Sequence, residues 1–307
     1  MALRKPDFFI VGAPKSGTTS MDLYLDRHPQ VRMAPEKETH HFARDFLLPS
    51  SPWWDRERYL ELFEFEDPAV VRSGESSVYY LLSDVAAREI HGYDPAARIL
   101  IHLRDPVDLL YSHHSQLVYE GFQDVLEFED ALERGSEPRL EDADQRMHAR
   151  LGLPRDYFRL VDFPSQIRRY FEVFPREQVH FVLFDDLSRD PAGTFRALLE
   201  FLDVDPDVTV PFDVHNPNKE VRSPLLRELL REPPGWISAP SRWIFPLSVR
   251  NRIKSRVKRA NTRFVKRSPM RPETRRKLAE RLAPVVAATA DLVGRDLAHW
   301  ARPEKSA

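Results

Sequence analysis

The chain reads as an α/β fold of three layers, a central parallel sheet flanked by helices, and three features predict it. Short apolar runs, continuous rather than alternating, recur through the first two thirds of the 307 residues, as expected of strands buried on both faces. Helical patterns separate them, and that alternation gives parallel strands joined by crossover helices. At the end of the first run, Phe8-Phe9-Ile10-Val11-Gly12 gives way to Ala13-Pro14-Lys15-Ser16-Gly17-Thr18-Thr19-Ser20, a turn that opens into a helix.

Taken in order, strands are expected over 8–12, 69–73, 98–103 and 179–184. Helices are expected over 18–27, 83–91, 106–120, 125–134, 163–174 and 191–202. The last of these is well signalled: Asp190 can cap it, Pro191 suits its first position, and Phe195, Leu198, Leu199 and Leu202 line one face. A final helix over 272–293 contains Pro284 and is expected to kink or restart there. One domain is expected over 1–307, with a core at about 6–225 and a basic helical region at about 226–307. Sheets of this kind gather ligands at the carboxyl ends of their strands.

The turn after the first strand falls at that edge. Its amides and the following helix N-terminus direct positive ends at an anion, so Lys15, Ser16, Gly17, Thr18, Thr19 and Ser20 form a candidate phosphate cradle. The arrangement is P-loop-like without being the nucleoside-triphosphatase loop. Lys15 precedes Gly17, and no Gly-Lys-Ser/Thr triplet is present to hold magnesium. One phosphate and a metal-free reaction centre are therefore expected.

A second anchor follows the run Arg98-Ile99-Leu100-Ile101-His102-Leu103. Arg104 stands at the strand's carboxyl end, Asp105 can cap the next helix, and Pro106 suits its first position. Ser112 lies two turns into that helix. A guanidinium fork and a serine hydroxyl so placed are candidates for a second phosphate.

The Pro-Lys-Ser-Gly-Thr-Thr-Ser loop resembles the 5′-phosphosulfate loop of sulfotransferases that use 3′-phosphoadenosine 5′-phosphosulfate (PAPS). Leu103-Arg104-Asp105-Pro106 with Tyr111-Ser112 resembles that family's 3′-phosphate motif. Between them, Ala34-Pro35-Glu36-Lys37-Glu38-Thr39-His40-His41-Phe42 is similar to a segment of the heparan-sulfate branch. There the glutamate after the loop deprotonates the acceptor, a position held here by Glu38, 23 residues after Lys15. Glu36 and then Glu75 are rivals for that role, and a solvated loop is the plain alternative. Pro52-Trp53-Trp54 and Tyr59-Leu60-Glu61-Leu62-Phe63 resemble the branch's aromatic stretch. Ser73-Gly74-Glu75-Ser76-Ser77-Val78-Tyr79-Tyr80 resembles a Glu-x-Ser/Thr-Pro-x-Tyr segment, with Val78 where proline is usual. The heparan 3-O enzymes place a lysine where Ser76 stands, so their glycan contact does not carry over. Glu75 is expected either to position Lys15 or the acceptor, or to satisfy buried backbone donors.

Composition narrows the compartment and the chemistry. Hydrophobic residues make up 42% and charged ones 31%, ordinary for a globular protein. Cysteine is absent, which excludes disulfides, thiolate metal sites and cysteine catalysis. With no apolar run of spanning length and no signal-like segment before the first strand, a cytoplasmic enzyme is expected. Histidines crowd the candidate site: His40, His41, His102, His113 and His114. His40 is the preferred helper, ahead of His114, whereas His102 is expected to pack within its strand; no convincing metal set emerges. Residues 135–155 read as a surface connection or an acceptor loop, and 44–58 as another variable loop.

The carboxyl third is basic. Lys219 and Arg222 lie in an irregular cationic loop, where related enzymes bring basic residues over the nucleotide. From Arg250 to Lys277 there are 13 Lys or Arg against one acidic residue, although the whole chain carries a net charge of −2. Residues 243–277 are amphipathic: they suit packing on their own domain, and also peripheral contact with a membrane or a charged acceptor. No nucleic-acid module accompanies them.

The resemblance covers about residues 6–225 and implies a bacterial-type, PAPS-dependent sulfotransferase acting on a small-molecule, glycan or lipid acceptor. Its implied roles are Glu38 as base, Lys15 on the bridging oxygen, and Gly17, Thr18 and Thr19 on the 5′-phosphate. The alternatives are a kinase-like phosphoryl transferase needing magnesium and ATP, and a non-catalytic protein that only binds the nucleotide.

Overall fold

The computed structural model describes residues 5–123, 125–134, 157–212, 219–221, 223, 256–257, 260–264 and 269–302. At its centre, β1 (Phe8–Gly12), β2 (Val31–Met33), β3 (Arg72–Ser76), β4 (Arg98–Leu103) and β5 (Val179–Leu183) form a five-stranded sheet. The order is β2-β3-β1-β4-β5, and every pairing is parallel. Phe8 of the central strand stands opposite Gly74 of β3 and Arg98 of β4.

Nine helices are described: α1 (Thr18–Asp26), α2 (Arg56–Leu60), α3 (Ala86–Tyr93), α4 (Pro106–Glu120), α5 (Phe128–Arg134), α6 (Phe163–Phe171), α7 (Phe184–Arg189), α8 (Pro191–Phe201) and α9 (Pro272–Val293). The caps are those the residue types dictate. Asp105 accepts from the Val107 and Asp108 amides at 2.8 and 3.3 Å, and Asp190 accepts from the Gly193 amide at 2.9 Å. A short antiparallel ribbon of β6 (Lys219–Val221) and β7 (Thr262–Phe264) docks on α4, where the Tyr119 and Thr262 hydroxyls meet at 2.7 Å.

Three layers follow from the pleat. Phe8 and Ile10 of β1 turn to one face, with Met21, Tyr24 and Leu25 of α1 and Phe195, Leu198 and Leu199 of α8. Phe9 and Val11 turn to the other, with Ile90 of α3, Leu110 of α4, Ile167 of α6 and Leu282 of α9. Each of these fully buried side chains contributes about 1.5–3 kcal/mol of transfer free energy.

One expectation needs correction and one is narrowed. The strand expected over 69–73 is Arg72–Ser76, because Val71 is exposed and the buried segment is polar; side-chain hydrogen bonds replace hydrophobicity there. The last helix runs through Pro284 without restarting. Strand β2 was not anticipated, being only three residues long. The segment 135–155, read as a surface connection or an acceptor loop, lies outside the described residues, as does most of 243–277. Among the described residues no helix is long and apolar enough to cross a membrane.

Candidate active site

The loop after β1 occupies the carboxyl rim of the sheet. Gly12 has φ 142°, and a Cβ there would lie 2.5 Å from the Val78 carbonyl oxygen. That close approach lets residues 77–81 fold over the strand end, with the Ser77 amide donating to Ile10 O at 3.1 Å and the Leu81 amide to Val11 O at 2.7 Å. Gly17 caps α1 in the left-handed region at φ 85°. The cap makes no side-chain hydrogen bond and the first turn carries no acidic residue, so this helix start presents its amides uncompensated. Thr18 is buried, and Thr19 and Ser20 are half-buried in the same turn. Ser16 is buried, its hydroxyl donating to Pro14 O at 3.4 Å.

Lys15 itself is left-handed, φ 62°, and its Nζ donates to Gln116 Oε1 at 3.1 Å. Gln116 sits one turn beyond the buried Ser112 on α4, so the two share a helix face. Arg104, leaving β4, donates from Nη1 to the Lys15 carbonyl at 3.0 Å and lies 4.3 Å over the Phe184 ring. Its Nε is buried with no hydrogen-bond partner among the described residues. Burial lowers the guanidinium's pKa, whereas Asp108, Asp105 and Asp185 oppose that shift. Beneath the loop, the His102 ring is fully buried and its Nδ1 meets the Ser16 carbonyl at 3.3 Å. Burial pushes its pKa down to about 3. The ring is therefore neutral and donates to that carbonyl, a prop for the loop.

The segment that carries Glu38 hangs from β3. Its amide donates to Ser76 O at 3.0 Å, next to the strand that leads into the loop. Glu38 and His40 are left-handed at φ 58° and 54°. One Glu38 oxygen accepts the Val78 amide at 2.9 Å and lies 3.6 Å from His40 Nε2. Burial pushes the Glu38 carboxyl up to about 7, while Lys37 and the Val78 amide favour the charged form. The side chain still keeps 37% exposure, and the water it meets moderates the rise.

Two neighbours are held by interior partners. Lys37 turns inward, donating to Ser76 Oγ at 2.7 Å and Asp22 Oδ2 at 3.2 Å, whereas Glu36 is exposed. Glu75 is fully buried and accepts hydroxyls, from Thr39 at 3.0 Å, Ser77 at 2.5 Å and Tyr59 at 3.4 Å. Because Ser77 also accepts the His40 amide at 3.0 Å, Glu75 is the point to which residues 39–42 are tied. The other histidines are engaged in packing. His41 stacks on Tyr59 at 4.1 Å and bonds Trp53 O at 2.7 Å, its pKa pushed down to about 4 by burial. His114 meets the Tyr157 hydroxyl at 3.1 Å and Leu126 O at 3.0 Å, and His113 is buried beside it on α4.

Lys15, Ser16, Gly17, Thr18, Arg104 and Ser112 thus share one rim, with Glu38 and His40 on the adjoining strand's exit. Lys219 is described only as backbone of β6, and Arg222 lies outside the described residues. Gln116, Lys37 and Arg275 had not been singled out. Spacing from Ser112 could have flagged Gln116; nothing local marks the other two.

Residues 5–215 match the sulfotransferase-domain family. The chain is 25% identical over 217 residues to a bifunctional heparan sulfate N-deacetylase/N-sulfotransferase 1 of Caenorhabditis briggsae, covering 68% of this chain and 24% of that protein. It is 24% identical over 298 residues to the membrane-associated sulfotransferase kil1 of Dictyostelium discoideum, covering 72% and 62%. The chain therefore spans less than two thirds of either relative's length. A crystal structure of a sulfotransferase from Alicyclobacillus acidocaldarius is similar over 97% of this chain and 100% of its own, with 27% identity and a TM-score of 0.70. With the family matched from residue 5 to residue 215, and the similar fold extending over nearly the whole chain, this protein belongs to the sulfotransferase family.

Proposed function

We propose that the chain transfers a sulfuryl group from PAPS to a hydroxyl or amine of an acceptor, releasing 3′-phosphoadenosine 5′-phosphate (PAP). The observation that carries this reading is the 3.0 Å bond from Arg104 to the Lys15 carbonyl, which joins two anion-binding segments 89 residues apart. The residues suit a donor with two phosphate groups. An uncompensated helix start lies at one end, and a buried guanidinium with a spare Nε at the other. When bound, the donor supplies a sulfuryl group whose bond to the 5′-phosphate oxygen breaks as the acceptor attacks.

The chain's own groups then have separate tasks. The α1 amides with Ser16, Gly17, Thr18, Thr19 and Ser20 hold the 5′-phosphate, and Lys15 places its charge where negative charge develops on the leaving oxygen. Arg104 and Ser112 hold the 3′-phosphate; Lys219 and Arg222 are further candidates. Glu38 takes the acceptor's proton, and a carboxyl whose pKa lies between its usual value and about 7 is suited to that near neutrality. His40, 3.6 Å from its oxygen, orients it.

The acceptor is proposed to be a glycan, a lipid or another small molecule rather than a nucleic acid. A reducing compartment such as a bacterial cytoplasm suits a chain without cysteine. Peripheral membrane contact through 243–277 is part of the same proposal.

Thermal stabilisation by PAP, compared with ATP plus magnesium, tests the donor on the wild type and on Arg104→Ala. A shift specific to PAP and lost in the variant is expected. A shift with ATP and magnesium alone would overturn the reading in favour of phosphoryl transfer.

A further inference from the structure

Among the described residues, the charges that act on Arg104 are those of Asp108, Asp105 and Asp185. Asp105 and Asp108 follow it at the start of α4, and Asp108 is four residues before Ser112, on the same helix face. A phosphate held by Arg104 and Ser112 would approach two carboxylates. Repulsion between like charges in a partly dry site is strong enough to cancel a single guanidinium's attraction.

The last long helix supplies the answer. Arg275, in the first turn of α9, donates from Nη1 to Asp108 Oδ1 at 2.8 Å and from Nη2 to Asp105 Oδ2 at 2.7 Å. The triad is nearly dry, with side-chain exposures of 12% for Arg275, 9% for Asp105 and 16% for Asp108. One fork therefore spans both carboxylates. At its other end the same carboxyl-terminal unit grips the element that carries Phe184. His299 Nε2 reaches Asp185 at 2.9 Å, Trp300 Nε1 donates to the same carboxylate at 2.6 Å, and Arg295 reaches Asp186 at 3.0 Å. Both walls around Arg104 are thus held from a segment beyond the family match, which ends at residue 215.

We propose that Arg275 is a positioning residue for the 3′-phosphate: by cancelling the Asp105 and Asp108 charges it makes the Arg104–Ser112 site attractive to a phosphate dianion. This rests on the reading above that Arg104 and Ser112 face that phosphate. A purely structural ion pair would hold α9 in place and affect every nucleotide alike. A charge-cancelling one affects only ligands that carry a 3′-phosphate.

Calorimetric binding of PAP and of adenosine 5′-phosphate, which lacks the 3′ group, separates the two. Arg275→Gln is expected to weaken PAP about 10- to 100-fold while changing adenosine 5′-phosphate less than about threefold. Adding Asp105→Asn and Asp108→Asn to the same protein should restore the PAP preference, since asparagine keeps the helix cap while removing the charge. Equal losses for both ligands, or no loss for either, would overturn the proposal. Where the single variant does not fold, the triple variant decides, because it buries no unpaired carboxylate. PAP preference within about threefold of wild type supports charge cancellation, and loss of that preference refutes it. A wild type that does not prefer PAP sinks the donor assignment itself, a result distinct from an unaltered preference in Arg275→Gln.

Discussion

Replacing Glu38 by glutamine removes the proposed base and almost nothing else. The amide keeps an oxygen for the Val78 N–H, which Glu38 now receives at 2.9 Å, so the left-handed segment has no reason to move. A positioned general base contributes roughly 10²–10⁴ in rate, and Glu38→Gln is expected to lose that much turnover. PAP affinity should stay within about threefold, because the carboxylate does not contact the nucleotide in the proposed site. The pH profile is the sharper test. With burial pushing the carboxyl up to about 7 and 37% exposure holding it below that, activity should fall tenfold per pH unit once pH drops past a midpoint between its usual value and about 7.

Stability runs the opposite way. The folded pKa is raised above the unfolded one, so the folded state binds the extra proton and stability declines as pH climbs from the ordinary glutamate range towards 7. After allowance for solvent screening that penalty is on the order of 1 kcal/mol, and it is fully present above pH 7. Glu38→Gln should therefore melt at or slightly above the wild-type temperature at pH 8 and show no such gain at pH 4. The assay is product formation from PAPS with whichever acceptor in a panel of hydroxyl and amine compounds gives turnover. Turnover by Glu38→Gln within threefold of wild type, or an acid limb unchanged in the variant, would refute the assignment.

Three further outcomes follow from the same geometry. Lys15→Ala should reduce turnover by roughly 10²–10⁴, read as initial rate at saturating donor. Gly17→Ala forces a φ of 85° on a residue with a Cβ, 2.7 Å from Leu187 Cδ2; about 1–2 kcal/mol of stability should go, together with PAP binding, by thermal melt with and without PAP. Glu75→Ala leaves the Thr39, Ser77 and Tyr59 hydroxyls without their buried acceptor and should cost on the order of 3 kcal/mol in denaturant melts. Because burial also raises the Glu75 pKa, Glu75→Gln should be the milder change, and its relative stability should improve as pH rises.

The strands that hold the core were legible because Phe8–Gly12 is apolar and buried throughout, and Arg98–Leu103, apolar apart from Arg98 and His102, is buried from Ile99 onward. Where the pattern failed, the site was the reason. Arg72–Ser76 carries Glu75 and Ser76 into the interior, so its burial follows a hydrogen-bond plan that periodicity cannot display. The loop and the Arg104 motif were readable because helix-start chemistry is local, with Gly17 and Asp105 each setting its own turn. Lys37 and Arg275 were not, since their meaning lies in partners: Asp22 and Ser76 for one, Asp105 and Asp108 for the other. A carboxylate such as Glu75 reads alike whether it serves chemistry or architecture until its three hydroxyl donors are seen.

The left-handed backbone has a bearing on how such chains diverge. Among the described residues, the non-glycine positions with positive φ are Lys15, Glu38, His40 and, at the far rim of the sheet, Asp203. A residue with a Cβ held there costs about 1 kcal/mol or more relative to glycine. On the roles proposed above, selection for turnover would keep Lys, Glu and His in those places. Once that selection relaxes, drift should run towards glycine or asparagine at 15, 38 and 40, each step a small gain in stability. Relatives that carry glycine at all three positions should then be more heat-resistant and silent in turnover, which makes these three columns a readable mark of retirement from catalysis.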